Sequence, residues 1–223
     1  MVISPTQNTG TPRAAQIYTW FDVKVIKLPH SLVTRDTLEV LRLFLYKRPL
    51  SLPTVTGFPA LRVLELNIVW LWEFDVVQQF LKSCPLLEKL SLIECFSYSN
   101  VFFCISCLNL KTLGIHNRNM DYTERFGGGS DDNEGLCVGL RICCPKLVCL
   151  EYAGHMANAF SFENLDSLKK AVIYPDAMAH TGLTFESSGD SICQLFSRVS
   201  HVESLSLNLF FFQVHTYSSY VNC

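Results

Sequence analysis

The chain has 223 residues, of which 49% are hydrophobic and 17% charged, a composition that excludes a disordered polypeptide and supports one sizeable core. Its formal net charge is −2 and no long basic block is present, so a nucleic-acid partner is not expected. The longest apolar run, residues 205–214, is interrupted by polar residues and is too short to cross a bilayer, so no membrane segment is predicted.

The N-terminal part divides into a polar stretch and a first strand. Residues 1–15 are rich in Thr, Pro and Gly and are expected to be disordered. Residues 16–28 contain many β-branched and aromatic side chains, which favour a strand and a degenerate first repeat. The predicted folded domain spans residues 16–212, and residues 213–223 form a C-terminal tail.

A leucine pattern then recurs along the chain. The residues 84–95, Cys-Pro-Leu-Leu-Glu-Lys-Leu-Ser-Leu-Ile-Glu-Cys, contain the spacing L-x-x-L-x-L and close with Cys95, the pattern of a leucine-rich repeat. Seven such cores begin at Leu38, Leu61, Leu87, Leu110, Leu147, Leu168 and Val202. The pattern predicts an α/β leucine-rich repeat solenoid, with a parallel sheet on the concave face and helices or loops on the convex face.

The offsets between these cores are 23, 26, 23, 37, 21 and 34 residues, and the two long ones indicate insertions. The first is predicted to be an acidic, glycine-rich loop at residues 118–135, and the second covers residues 174–189. Helical spacing of apolar residues predicts convex-side helices from Asp75 to Cys84, from Leu136 to Cys143 and from Asp190 to Val199.

Several repeat segments together resemble a known protein family. Leu28-Pro-His-Ser-Leu32, Phe58-Pro-Ala-Leu-Arg-Val-Leu-Glu-Leu66, Ser83-Cys-Pro-Leu-Leu-Glu-Lys-Leu90 and Cys144-Pro-Lys-Leu147 are similar to the leucine-rich region of plant F-box/LRR and F-box/FBD/LRR proteins. The resemblance covers roughly residues 28–210. It implies a substrate receptor of an SCF-type ubiquitin ligase, in which the repeats hold an unknown protein substrate.

The sequence departs from that family plan at both ends. Leu28 to Leu32 matches the opening of an F-box, but a repeat core follows where a basic and aromatic segment is expected, and no FBD extension is recognised. A Skp1-type adaptor is therefore expected as a partner only if an F-box is present outside this chain. The alternatives are a stand-alone repeat protein without a ubiquitin role, or a truncated gene fragment without independent function.

Catalytic and metal-binding patterns are weak. Cys104 and Cys107 form a C-x-x-C without a second ligand pair at the spacing of a zinc site, and no nucleophile motif is present. We therefore predict no enzyme activity, no metal and no cofactor. Several of the cysteines occupy small apolar repeat positions, and no secretory signal is recognised, so a cytoplasmic or nuclear protein with reduced thiols is expected.

The remaining candidate site is the outward face of the sheet. Side chains alternate along a strand, so the residues between the core leucines face solvent in parallel columns. Aromatic, arginine and other charged side chains among them are the predicted protein-binding residues, because such residues contribute most to interfaces. They are Arg42, Phe44, Glu65, Lys89, His116, Glu151 and Tyr174.

Overall fold

The computed structural model describes residues 2–3, 13–19, 25–33, 35–51, 57–71, 74–97, 102–117, 139–155, 160–176 and 193–208. Within these residues, eleven strands form a large sheet. In chain order they are β1 (Val2–Ile3), β2 (Ala14–Tyr18), β3 (Ile26–Lys27), β4 (Val40–Ser51), β5 (Val63–Leu71), β6 (Lys89–Ile93), β7 (Phe96–Ser97), β9 (Thr112–Asn117), β11 (Cys149–His155), β13 (Lys170–Asp176) and β14 (Ser204–Leu207). A smaller sheet contains β8 (Phe102–Ser106), β10 (Gly139–Cys143) and β12 (Phe160–Glu163).

The large sheet confirms the predicted solenoid and its register. The path β2-β4-β5-β6-β9-β11-β13-β14 is parallel throughout, and each strand is the next repeat along the chain. One row of paired inward residues consists of Ala15, Leu41, Leu64, Leu90, Leu113, Leu150, Ala171 and Leu205. All belong to or pack against one hydrophobic cluster, so successive repeats share a continuous interior.

A tight turn precedes most strands of the large sheet. In it a backbone N–H donates to the carbonyl three residues back, as from Leu61 to Phe58, from Leu87 to Cys84 and from Leu147 to Cys144. The second turn residue is proline in all three cases, because proline has the φ angle that this position of a turn requires. The first leucine of each motif thus ends a turn and enters the core before its strand begins.

The outer layer differs in part from the prediction. Helix α2 (Phe74–Ser83) is present, with Val77, Phe80 and Leu81 buried, and the Phe80 ring stacks on Phe58 at 5.6 Å between centroids. Helix α2 begins one residue before the predicted start at Asp75. Residues 193–199 are also helical, as predicted.

The prediction of a helix from Leu136 to Cys143 is wrong for residues 139–143, because they form strand β10. Strand β10 pairs in parallel with β8 and β12, and buried Leu140 and Ile142 alternate with exposed Arg141. A short apolar run fits both the helical and the strand period, so spacing alone did not distinguish them. Three repeats therefore carry strands on the outer layer, where helices or loops were predicted.

The predicted disordered segment 1–15 overlaps strands at both ends, since Val2–Ile3 pairs antiparallel with β2 and β2 begins at Ala14. Strand β2 supplies the strand of a first repeat without a leucine motif, because Ala15 and Ile17 are buried and β2 pairs in parallel with β4. A single helical turn, α1 (His30–Val33), follows β3. The predicted insertion loop 118–135 and the tail 213–223 lie outside the described residues.

Candidate functional site

The solvent-facing side of the large sheet, called the open face below, carries three columns of paired residues. The first column contains Ala14, Val40, Val63, Lys89, Thr112, Cys149, Lys170 and Ser204. The second contains Gln16, Arg42, Glu65, Ser91, Gly114, Glu151, Val172 and Ser206. The third contains Tyr18, Phe44, Asn67, Ile93, His116, Ala153 and Tyr174.

All seven residues predicted for binding lie on this face. Lys89 is in the first column, Arg42, Glu65 and Glu151 are in the second, and Phe44, His116 and Tyr174 are in the third. Alternation from the leucine motifs thus located them correctly, and their role in binding stays a prediction.

The first repeats hold a group of interacting side chains. The rings of Tyr18 and Phe44 stack with centroids 4.6 Å apart and 12° between planes. Beside them, the Arg42 Nε lies 3.4 Å from the Glu65 Oε2, and the Asn67 Nδ2 donates to the Glu65 Oε1 at 2.8 Å. These contacts hold an aromatic pair, a cation and a carboxylate side by side. Such a combination of side chains is suited to binding the surface of another protein.

A second group lies two strands further along. The His116 Nε2 is 3.4 Å from the Glu151 Oε2, and both side chains are partly exposed. Gly114 lies under this pair, because a Cβ built on it would be 3.3 Å from the His116 Nε2. Glycine therefore allows the imidazole to lie close over its own strand.

The other two predicted residues, Tyr174 and Lys89, lie at different positions on the open face. Tyr174 is separated from His116 by Ala153 on β11, so the two aromatic residues flank one small buried side chain. Lys89 is exposed in the first column, and the ion pairs of the described residues do not include it. The predicted residues are therefore distributed along one surface, with two pairs in contact, Arg42 with Glu65 and His116 with Glu151.

Sequence reasoning did not find Tyr18 as a site residue. Its repeat has no leucine motif, and the signal that could have found it is the alternation of Ala15 and Ile17 with Gln16 and Tyr18. The aromatic pair with Phe44 follows only from the register between β2 and β4.

A row of charged residues was also missed. We call edge row the residues immediately before the eight repeat strands, which are Arg13, Glu39, Arg62, Glu88, Lys111, Val148, Lys169 and Glu203. In the first six steps along this row, a carbonyl accepts hydrogen bonds from two successive N–H groups of the next repeat. The sequence contains a signal for this row. The residue that follows the first core residue of each of the seven motifs is charged, except in the motif that begins at Leu147.

The edge row is held by ion pairs across neighbouring repeats. Glu88 contacts two cations, with its Oε1 at 2.6 Å from the Arg62 Nη1 and its Oε2 at 3.1 Å from the Lys111 Nζ. The hydrogen bond from Lys111 is the main reason that the pKa of the Glu88 carboxyl is lowered. Arg13 pairs with Glu39 at 3.3 Å and Lys169 pairs with Glu203 at 3.0 Å.

The buried thiols have structural surroundings. Cys95 donates from Sγ to the Leu66 carbonyl oxygen at 3.3 Å, which is the backbone contact expected of the closing cysteine of the motif. Burial raises the pKa of Cys84, Cys95 and Cys144 to about 12, so these thiols stay protonated and weakly reactive. Among the described residues, no three His, Cys, Asp or Glu side chains are grouped to hold a metal ion.

Of the helices within the described part of the chain, none has the length and apolar character that a bilayer crossing needs.

Comparison with known proteins agrees with the architecture. A protein-family model described as "FBD-associated F-box protein At5g56370, LRR repeats" matches residues 17–125. Among curated proteins of Arabidopsis thaliana, the putative F-box/LRR-repeat protein At3g59160 is 31% identical over 147 residues, which are 66% of this chain and 30% of that protein. The F-box/FBD/LRR-repeat protein At1g78750 is 28% identical over 147 residues, covering 66% of this chain and 29% of that protein.

A third relative extends further along the chain. The putative F-box/LRR-repeat protein At3g42770 of Arabidopsis thaliana is 26% identical over 196 residues, which are 86% of this chain and 30% of that protein. The chain thus spans about 30% of the length of the curated relatives it matches. No solved structure matches significantly. With the register of its parallel sheet, these matches show that the chain carries leucine-rich repeats similar to those of plant F-box/LRR proteins.

Proposed function

We propose that the chain is a non-catalytic protein-binding module whose open face holds a protein partner. The observation that carries the proposal is the unbroken parallel register from β2 to β14, which aligns the outward side chains of eight strands into one extended surface. Stacked repeats of this kind offer a surface long enough to contact a folded partner or an extended segment.

The first contact region of the proposed interface is the group formed by Tyr18, Phe44, Arg42 and Glu65. Aromatic and arginine side chains are the residues that most often dominate binding energy. Arg42 and Glu65 are restrained by their ion pair at 3.4 Å, so less side-chain entropy is lost when a partner covers them. His116 and Glu151 form a second contact region toward the C-terminal repeats.

The resemblance to plant F-box/LRR proteins supports a finer proposal, in which the partner is the substrate of an SCF-type ubiquitin ligase. In that case a Skp1-type adaptor binds an F-box that lies outside this chain, and the protein works in the cytoplasm or nucleus. A stand-alone repeat protein without a ubiquitin role is the competing proposal, and both use the same open face.

The binding proposal is tested by comparing three forms of the chain in affinity capture from plant-cell extract, with quantitative mass spectrometry. The wild type and the control Lys82→Ala, which alters an exposed residue on α2, are expected to hold the same proteins. The double variant Arg42→Ala/Phe44→Ala is expected to lose a defined subset. Equal recovery by all three forms would refute binding through the open face.

The ubiquitin proposal needs a separate experiment. The isolated chain is expected not to co-elute with a purified Skp1-type adaptor in size-exclusion chromatography, whereas the full product of its gene, with an upstream F-box, is expected to do so. If the flanking genomic sequence encodes no F-box, the stand-alone proposal is favoured. Co-elution of the isolated chain would contradict an adaptor site outside it.

A further inference from the structure

The edge row is interrupted at one position. Its charges alternate in sign from Arg13 to Lys111, with Glu39, Arg62 and Glu88 between them. The next position is Val148, which is apolar and 38% exposed, where the alternation would place an acidic side chain. Lys111 and Lys169 are its backbone neighbours in the row, on either side.

The surroundings of Val148 carry an excess of positive charge. We call lysine patch the residues Lys89, Lys111, Lys169 and Lys170, which belong to the edge row or to the first column beside it. In the edge row and the first column of β6, β9, β11 and β13, the acidic residue is Glu88. The four lysines and Glu88 together give these positions a net charge of +3. The whole chain has a net charge of −2, so this patch has the opposite sign from the molecule.

Nearby acids neutralise the patch in part, because Glu203 pairs with Lys169; counted with Glu203, its net charge is +2. Glu151 in the second column pairs with His116 at 3.4 Å, and Glu203 pairs with Lys169 at 3.0 Å. On the adjoining turns, the exposed side chains of Lys146 and Asp166 balance each other in charge.

Two lysines of the patch are not neutralised by an ion pair. Lys89 and Lys170 are exposed, and the ion pairs found among the described residues include neither of them. Thr112 and Cys149 lie between them in the first column. Three strand spacings of about 4.8 Å separate their backbones by roughly 14 Å, which is the span of a short peptide segment.

Glu88 shows how a carboxylate fits into this row. Its two oxygens contact cations on both neighbouring repeats, Arg62 at 2.6 Å and Lys111 at 3.1 Å. A carboxylate at the Val148 position would lie between Lys111 and Lys169 in the same way, because the two backbone steps around Val148 have the same hydrogen-bond pattern.

We propose that the lysine patch binds an acidic peptide segment of the protein partner, with one Asp or Glu carboxylate placed over Val148 between Lys111 and Lys169. This inference rests on the proposed protein-binding function and specifies the chemistry of the partner. The segment crosses the strands at their N-terminal ends, and its further acidic residues meet Lys89 and Lys170. The aromatic group at Tyr18 and Phe44 lies at the other end of the same face.

The test uses variants in which the chain itself supplies a longer side chain at the Val148 position. Val148→Glu supplies the missing carboxylate and completes the alternation, whereas Val148→Gln has a similar size without the charge. The probe is a fluorescein-labelled ten-residue peptide of alternating Glu and Gly, measured by fluorescence anisotropy at low salt, with a Gln-Gly peptide as the uncharged control.

The wild-type chain is expected to bind the Glu-Gly peptide and not the Gln-Gly peptide. Val148→Glu is expected to weaken binding by about 10-fold or more, and Val148→Gln by about 2-fold or less, because only the glutamate places a like charge against the carboxylates of the peptide. Lys89→Gln/Lys170→Gln is expected to weaken binding as well, and Lys82→Gln on α2 is expected to leave it unchanged. Circular dichroism melting checks that each variant is folded.

Failure of the wild type to bind the acidic peptide, or equal binding by Val148→Glu and Val148→Gln, would overturn the inference. The affinity-capture experiment separates this from the wider proposal. If Arg42→Ala/Phe44→Ala loses proteins while Val148→Glu retains them all, the acidic-segment inference fails and the open face remains a binding surface. If Arg42→Ala/Phe44→Ala loses none, the proposed function itself fails.

Discussion

Replacing Leu90 with alanine tests whether the repeats share one interior. Leu90 is 0% exposed and pairs in register with Leu64 and Leu113, which are 1% and 0% exposed. Neighbouring repeats enclose the side chain on both sides, so the cavity left by truncation cannot collapse easily. Leucine-to-alanine changes in such positions cost about 2–5 kcal/mol, and we expect about 3 kcal/mol here.

The assay is urea denaturation followed by circular dichroism, with Leu108→Ala as the matched control. Leu108 is 73% exposed in the turn before β9, so the same chemical change there should cost less than about 0.5 kcal/mol. The dependence of the unfolding free energy on urea concentration, the m-value, is compared between variants. A changed m-value would indicate that the repeat array no longer unfolds as one cooperative unit. If both variants lower the unfolding free energy equally, the continuous interior is refuted.

Two further predictions concern stability. Gly154→Ala is expected to destabilise the chain by more than about 2 kcal/mol, because Gly154 has a φ of +124° and an added Cβ would lie 2.4 Å from the Asn117 carbonyl oxygen. Gly57→Ala, where the added Cβ has no neighbour within 4 Å, is the control, and equal melting temperatures would contradict the prediction. Raising the pH above about 9 is expected to lower the unfolding free energy, because burial raises the pKa of Cys84 and Cys144 from 9.0 to about 12. The unfolded chain then loses protons that the folded chain keeps, which costs up to about 1.4 kcal/mol per pH unit for each thiol. A urea midpoint that is unchanged between about pH 8 and pH 10 in reducing buffer would contradict this.

The repeat register could be predicted because leucine spacing reports burial directly. Each L-x-x-L-x-L motif fixes which residues of its strand face inward, and alternation then places Arg42, Glu65 and Glu151 outward. Tight turns before the strands were also encoded locally, by the prolines at positions 59, 85 and 145.

The outer layer could not be predicted with the same certainty. In β10, Leu140 and Ile142 fit a strand, yet Leu136, Leu140 and Cys143 fit a helical face equally well. What decides between them is pairing with β8 and β12, which are distant in sequence. Secondary structure on this side therefore depends on tertiary contacts that a local pattern does not contain.

The pairings within the site also depend on contacts between repeats. The stack of Tyr18 on Phe44 and the ion pair of His116 with Glu151 join residues on different strands. The sequence indicates that these side chains share a face, but the distances between them follow from the register and from small residues such as Gly114. The alternating charges of the edge row form ion pairs only because successive repeats are stacked.

Hydroxyl-radical footprinting of the chain with and without a captured partner tests most directly the claim that the open face is the binding surface. Oxidation of Tyr18, Phe44 and His116 is expected to fall in the complex, because the partner covers the third column. Oxidation of the half-buried Cys143 on the outer sheet is expected to be unchanged. Protection of Cys143 with undiminished oxidation of the other three residues would show that the partner binds elsewhere than on the open face.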